Sequence, residues 1–375
     1  MTNRSAWAEV SSENIENNLK VIQKQVGEGV KICAVVKADA YGHGLSGFVD
    51  TLSKRHFTDI AAVGKFPELI KLLTDVNPSG MDVLLLGAAA ADEIALALDR
   101  GEIVPRRSIF SVYSTDMLRS LDKVAEFAKV TLRVHIRIDI WDSGMGISPE
   151  DFLKEQDMIM SMPHLAVCGL YTHLYSAYSD DLAEIASELE QFDDMVKKIL
   201  PEHRKKLRVH ALNSALIFRF PQYAYDMVRA GTALYGLPCD DNGELKTLLR
   251  ICAQVFDVSE VDAGIPLSYI NRNENSGRKR RIARIMLGYW DLPLMLTQKD
   301  VKIRIKGRLY ELADDVCMDN LCIDIGDDDI RVGDEAVLFG EEGVMATDIL
   351  DRNGIDYVHG EWMCMTADRL EKVYI

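Results

Sequence analysis

The sequence predicts an α/β protein, an N-terminal (β/α)8 TIM barrel over residues 1–240 followed by a mainly β domain over 241–375. Three observations carry that reading. Short apolar runs alternate with longer amphipathic segments through the first part of the chain, the pattern of parallel strands covered by helices. Eight such runs occur there, and eight βα units in ~250 residues suit a closed barrel with its site at the C-terminal strand ends. After Pro238 the texture changes to strand-like runs broken by Gly and Asp turns. A doubly wound open sheet is the structural alternative.

Ala6–Val10 reads as a short strand, and residues 1–10 are free to pair with the β domain. Ser11 then caps a helix with Glu13 in its first turn and Ile15, Leu19 and Ile22 at helical spacing. The first barrel strand is Ile32 to Val36, ending on Lys37 and followed by the turn Tyr41-Gly-His-Gly44. The other seven runs are Ile60–Gly64, Val83–Gly87, Ser108–Tyr113, Val134–Asp139, Ala166–His173, Arg208–Asn213 and Met227–Gly236. Helical patterns between them include Phe66–Leu73, Asp92–Asp99, Ser114–Phe127 and Leu182–Leu200. In the second domain Ile251–Val258, Arg281–Met286, Val301–Ile305, Asn320–Ile325 and Glu335–Phe339 read as strands, with one helix near Ala346–Arg352. The basic run Arg278-Lys-Arg-Arg281 follows Ser276-Gly277 and reads as a solvated loop.

A formal charge of -16 argues against nucleic acid or an anionic membrane as the main partner. It leaves a small polar substrate or another protein. The seven cysteines (33, 168, 239, 252, 317, 322 and 364) lack paired metal spacing. They read as buried free thiols in a reducing cytoplasm, with no metal site expected. No apolar stretch reaches the length of a membrane span and no signal-peptide core follows Met1. A cytoplasmic location is therefore expected, whether the chain stands alone or belongs to a longer protein.

A lysine ending a buried strand is aimed at the mouth of whatever the strands enclose. A desolvated ammonium loses its proton more readily, and the free amine attacks carbonyls, which suits a Schiff base with an aldehyde cofactor. Other strand ends converge on the same mouth. His173 ends one strand, Asn213 and Ser214 the next, and Arg229 lies in the last, with Gly231 and Thr232 just beyond. Singly, a strand-end histidine is a core residue and an Asn-Ser pair a helix cap. Together they face one site.

The string A-V-V-K-A-D-A-Y-G-H-G (34–44) resembles the pyridoxal-phosphate (PLP) lysine motif of bacterial alanine racemases, and the resemblance runs from Arg4 to Arg369. His173, Asn213, Ser214 and Arg229 match that family's G-L-Y-T-H, N-S-A and M-V-R-x-G segments. The resemblance implies that Lys37 carries PLP, that Arg229 meets its ring nitrogen and that His173 orients the arginine. It implies that Tyr41, Ser214, Gly231 and Thr232 hold the phosphate, with Asn213 also at the cofactor. It makes Lys37 and Tyr269 the two catalytic bases, Tyr269 acting across the interface of a homodimer with shared active sites. Tyr289 matches the tyrosine at the site entrance, and Met318, in Cys317-Met-Asp319, matches a residue whose backbone amide meets the substrate carboxylate.

Several positions depart from the family's pattern. Arg137-Ile-Asp-Ile-Trp-Asp-Ser-Gly-Met-Gly-Ile147 stands where the family reads K-x-D-T-G-M-G-R, with three residues inserted. Ile147 thus replaces an arginine that binds the substrate carboxylate, and Arg137 a lysine that is often carbamylated. Asp315 replaces another arginine. Asp368, in Cys364-Met-Thr-Ala-Asp-Arg369, replaces a tyrosine that narrows the alanine pocket. The expected function is a PLP-dependent racemase, an isomerase for D-amino-acid biosynthesis that interconverts L- and D-alanine or serine by two-base proton transfer at Cα. The serine/alanine racemases of glycopeptide resistance are a similar branch. The alternatives are a racemase for a basic amino acid, with Asp368 or Asp315 meeting the side chain, and a PLP-binding protein with little racemase activity.

Overall fold

The computed structural model describes residues 5–76, 78, 80–237, 243–269, 277–292, 300–354, 364, 366 and 368–375. Cys239 and Pro238 lie outside them. Strand β1 (Ala6–Val10) is followed by a helix, Ser12–Val26, whose N-terminus is capped by the Ser11 hydroxyl accepting from the Asn14 N–H at 3.2 Å.

All eight expected runs form strands. They are β2 (Lys31–Val35), β3 (Ile60–Val63), β4 (Asp82–Leu85), β5 (Ser108–Val112), β6 (Leu132–Arg137), β7 (Leu165–Tyr171), β8 (Arg208–His210) and β9 (Met227–Ala230). Their order is β8-β7-β6-β5-β4-β3-β2-β9, with the paired neighbours parallel. The seam between β8 and β9 is joined by an Asn213–Arg229 bridge and by the Arg229 N–H donating to Leu212 O at 3.0 Å. A closed barrel results rather than an open sheet.

Side chains alternate across each strand. Cys33, Val35, Ile60, Ala62, Leu84, Ile109 and Met227 pack together as one cluster inside the barrel. Ile32, Ala34, Ala61, Val63, Val83 and Leu85 face outward into the larger core shared with the helices. The far side of the interior is polar. His210 stacks on Tyr171 with ring centroids 4.9 Å apart, and its Nε2 lies 3.0 Å from Nδ1 of His135. The register of β6 on β7 shifts between Val134 and His135, leaving Cys168 as a bulge and setting Gly169 opposite His135. A Cβ on Gly169 would stand 2.3 Å from the His135 ring. The histidine pair therefore requires a glycine there.

The second sheet contains β10 (Leu249–Val261), β11 (Arg280–Ile285), β12 (Lys302–Ile305), β13 (Arg308–Glu311), β14 (Leu321–Asp324), β15 (Glu335–Phe339) and β16 (Glu371–Tyr374). β1 joins it, antiparallel to β10 and parallel to β16, as residues 1–10 were free to do. Arg250 ties four segments of this sheet, donating to Glu9 at 2.9 Å, to Glu341 at 2.7 Å and to Glu335. Glu9, Cys252 and Glu335 approach one another closely enough for a metal, but this guanidinium sits among them. The basic run is not wholly a solvated loop. Arg280 pairs with Val261 at the start of β11 and is buried, its Nη1 donating to Ala313 O at 3.4 Å.

Gly169→Ala should cost ~1–3 kcal/mol by overpacking, because the His135 ring is held by its bond to His210. Urea unfolding measures this. An unchanged midpoint would show that the ring has room to retreat.

Candidate active site

Strand β2 stops at Val35, and Lys37 opens a turn in which Ala38, Asp39 and Ala40 have φ of 54° and Tyr41 of 51°. Four consecutive non-glycine residues in the left-handed region are strained by ~1–2 kcal/mol each. The surroundings hold them. The Glu68 carboxylate accepts from the Ala38 N–H at 2.7 Å, and its other oxygen from Gly64 and Lys65 N–H at 2.8 and 2.9 Å. Asp39 accepts from the Leu45 N–H at 2.9 Å. His43 is fully buried and lies 3.0 and 2.9 Å from the Ala40 and Tyr41 carbonyls, so its Nδ1 carries the proton and donates. Burial pushes the His43 pKa down to about 4. The Tyr374 hydroxyl closes the turn from outside, reaching the carbonyls of His43 and Gly44 at 2.8 and 3.0 Å.

A cavity of about 410 Å³ opens at the C-terminal ends of the barrel strands. Lys37, Tyr41, His173, Asn213, Ser214, Arg229, Gly231 and Thr232 all line it. Lys37 is exposed at the mouth, not desolvated, because it follows the strand end instead of lying within it. The sequence reading did not place Arg137, Tyr171 and Tyr178 here, yet they share the lining. Among the described residues, every fully charged side chain in the lining is a cation: Lys37, Arg137 and Arg229. Such a wall suits an anionic ligand.

Arg229 is 3% exposed and has no carboxylate partner among the described residues. Its Nη2 donates to the carbonyls of Thr172 and Ala211, both at 3.0 Å, and lies 3.4 Å from His173 Nδ1. Its Nη1 donates to His210 Nδ1 at 2.9 Å. Since Nδ1 accepts, the proton of His210 is on Nε2 and goes to His135. Burial lowers the Arg229 pKa to about 10, which still leaves it charged at neutral pH. Burial, then the charge of Arg229, keeps His210 neutral by lowering its pKa well below the usual value. Enclosure in the barrel mouth, helped by Arg229, Arg137 and Lys37, lowers His173 to about 3.

At the opposite wall, Ser214 Oγ accepts from the backbone N–H of Gly231 at 2.9 Å and of Ala233 at 3.1 Å. Its own O–H is left to donate. The Tyr41 ring lies against Tyr235, tilted by 31° with centroids 4.7 Å apart, and a Cβ on Gly231 would stand 2.9 Å from the Tyr41 hydroxyl. A side chain there would close the space. Asn213 Oδ1 is buried without a partner among the described residues. Hydroxyl donors, an orphaned polar atom and an open glycine form a cradle that fits the phosphate end of PLP, with Lys37 and Arg229 placed for its ring end.

Tyr269, Tyr289, Met318 and Asp368 do not line this cavity in the single chain. Tyr269 is 74% exposed and Met318 is 42% exposed. The segments of Tyr289 and Met318 are joined by the Tyr289 N–H donating to Cys317 O at 3.0 Å and the Trp290 N–H to Met318 O at 3.2 Å. Arg369 secures both, holding Asp291 at 2.7 Å and Asp319 at 2.7 Å. Asp368 is exposed, near enough to Lys372 to act on its charge. The inserted residues after β6 fold over Asp139, whose carboxylate accepts from Trp141 N–H at 3.1 Å, Met145 N–H at 3.0 Å and the Ser143 hydroxyl at 3.1 Å. Ile147 is buried in the core.

His43 and His135 are buried neutral, with pKa values lowered by burial to about 4 and about 3. Unfolded histidine protonates near pH ~6.5, so between these limits the unfolded chain binds more protons. Stability is full above that range and falls as pH drops through it, by up to ~1.4 kcal/mol per pH unit for each histidine. His43→Gln should remove about one proton from this dependence. Urea midpoints for both proteins at about pH 5 and about pH 7 check it, and parallel pH profiles would count against a neutral His43.

The family model for the alanine racemase N-terminal domain matches residues 10–238, and that for the C-terminal domain matches 248–374. The alanine racemase of Halothermothrix orenii is 30% identical over 384 residues, spanning 99% of this chain and 97% of that protein. The alanine racemase of Clostridium perfringens is 31% identical over 384 residues, spanning 99% and 95%. The solved alanine racemase of Clostridium difficile superposes with a TM-score of 0.88 at 28% identity, covering 100% of this chain and 97% of that one. The alanine racemase of Bartonella henselae, solved with covalently bound pyridoxal phosphate, shares the fold with a TM-score of 0.80 at 22% identity, covering 99% and 100%. With both domain models matched and relatives aligned over almost its whole length, the chain belongs to the alanine racemase family.

Proposed function

We propose that this protein is a PLP-dependent alanine racemase, working as a homodimer in a reducing cytoplasm. The observation that carries the reading is the cavity with Lys37 at its mouth, buried Arg229 in its wall and the hydroxyls of Tyr41 and Ser214 across from them. When bound, the cofactor captures an amine through its aldehyde and spreads over its ring the electron pair left when a Cα proton departs.

The chain's own residues do the rest. Lys37 Nζ anchors the cofactor and carries the proton on one face of Cα. The Tyr41 and Ser214 hydroxyls donate to the phosphate, with the backbone at Gly231 and Thr232 beside them and Asn213 at their edge. Arg229 donates to the ring nitrogen while keeping its own proton, which limits electron withdrawal and restrains side reactions such as transamination. His173 and His210, both neutral, orient that guanidinium without competing for its charge.

Tyr269 is exposed and outside the cavity of its own chain, which favours its service as second base in the site of another copy. Tyr289 and Met318, fastened together by Arg369, would arrive with it at the entrance and at the substrate carboxylate. The reading divides the chain near residue 240 into a cofactor barrel and the domain that supplies Tyr269. Alanine is favoured over serine or a basic substrate, because the relatives aligned over almost the whole chain are alanine racemases and Asp368 already has the Lys372 cation near it. Cys33, Cys168, Cys252, Cys317 and Cys322 are thiols, in keeping with a reducing compartment.

Borohydride reduction of the holoprotein followed by peptide mapping should place the pyridoxyl group on Lys37, and Lys37→Ala should abolish racemisation in a chiral product assay. A label on another lysine, or no racemisation of alanine by the wild type, would overturn the reading. Mixing Lys37→Ala with Tyr269→Phe subunits should restore about a quarter of wild-type activity, since half the dimers then hold one intact site. No recovery despite proven subunit exchange would place Tyr269 elsewhere.

A further inference from the structure

An amino-acid racemase must hold the α-carboxylate of its substrate, and a guanidinium does so through paired N–H donors. The cavity offers three cations. Lys37 is taken by the cofactor. The Nη donors of Arg229 go to His210, Thr172 and Ala211, with His173 close by, its Nε–H is reserved for the cofactor ring in the racemase reading, and the residue is buried. Arg137 remains.

Arg137 is the last residue of β6, and its carbonyl accepts from the Ile147 N–H at 2.9 Å, so its backbone is fixed. The side chain is half-buried, with the guanidinium carbon 5.3 Å from the centre of the Tyr113 ring. The Tyr113 hydroxyl is itself bonded to the carbonyl of Leu86, another residue of the cavity wall. A guanidinium held over an aromatic face is positioned without using its N–H groups. Among the described residues, no carboxylate pairs with it and no acceptor receives its N–H groups. Two guanidiniums facing one cavity without a counter-charge repel each other, and a bound anion removes that cost. Ile147, buried nearby, offers no donor.

We propose that Arg137 binds the α-carboxylate of the substrate. The inference rests on the racemase reading above and adds to it the group that recognises the acid end of the amino acid. Arg137 touches the substrate and not the phosphate, so its loss should weaken substrate binding and leave cofactor attachment intact.

The test uses the holoprotein and two variants, Arg137→Gln and Arg137→Lys. KM for alanine should rise ~10–100-fold in Arg137→Gln, with partial recovery in Arg137→Lys. Propionate, a carboxylate without an amine, should inhibit the wild type competitively and lose that inhibition in Arg137→Gln. Borohydride labelling of Lys37 should be the same in all three proteins. If Arg137→Gln does not fold, Arg137→Lys decides: it keeps the charge but not the paired fork, and KM and the propionate constant should both rise. Unchanged KM and unchanged propionate inhibition in a racemising, Lys37-labelled variant would overturn the proposal, as would a fall in kcat alone. Failure of the racemase reading looks different, because the wild type itself then neither racemises alanine nor carries the label on Lys37.

Discussion

A positive charge sealed in the barrel without a carboxylate beside it is the constraint that orders the rest. Removing a guanidinium from water is costly, and an ion pair is the usual offset. Here the offset is a set of strand-end carbonyls and one neutral imidazole, all aimed inward by parallel strands that end at the same level. Each partner carries its own requirement. His210 must present a bare Nδ1, so its other nitrogen needs an acceptor, which is His135. His135 needs room, which Gly169 gives, and Gly169 faces it only because Cys168 bulges out of register. A charge at the mouth thus dictates side chains deep in the interior. A carboxylate partner would be simpler to build, but it would neutralise a charge that now faces the cavity.

The barrel was legible because each strand is buried on both faces and so reads as an unbroken apolar run. The cavity residues were legible in part for the same reason. Polar residues that interrupt such runs at their ends, like His173 and Asn213, have one place to go. The left-handed turn after Lys37 was not legible, since nothing in Ala38-Asp39-Ala40 marks it. Its conformation is imposed from outside by Glu68 and Tyr374, and by the Leu45 N–H that Asp39 accepts. Arg137 was visible in sequence only as a substitution. Its direction comes from the ring of Tyr113, a residue of the neighbouring strand's end. Arg280 looked solvated because its neighbours are basic, and it is buried because β10 runs on far enough to pair with it. β13 and β16 escaped notice, being four-residue strands rich in charge.

Net charge and local charge point in opposite directions. The chain carries an excess of sixteen acidic groups, yet among the described residues the charged side chains of the cavity wall are all cations. The net charge works against binding a polyanion, while the cations of the wall suit a small anion. The field that selects the ligand is therefore confined to the mouth of the barrel, where low-dielectric walls focus it.

The pairing of β1 sets the order in which the molecule can be completed during synthesis. Trp7 lies beside Cys252 on one side and Glu371 on the other. Ile375 bonds to Val10 and Ser12, its N–H donating to Val10 O at 3.0 Å and its carbonyl accepting from the Ser12 N–H at 2.8 Å. The barrel strands between residues 31 and 230 need none of these partners and can close while translation continues. Residues 6–10 leave the ribosome before the barrel strands and acquire their second neighbour, β16, after them. Throughout that interval they present an open edge of the kind that invites pairing with another chain. These contacts are among the most distant in sequence that the fold contains, and a large loop must close before they form. The tie from Tyr374 to the turn behind Lys37 waits for the same event, so the support of Lys37 settles only after the barrel around it has closed.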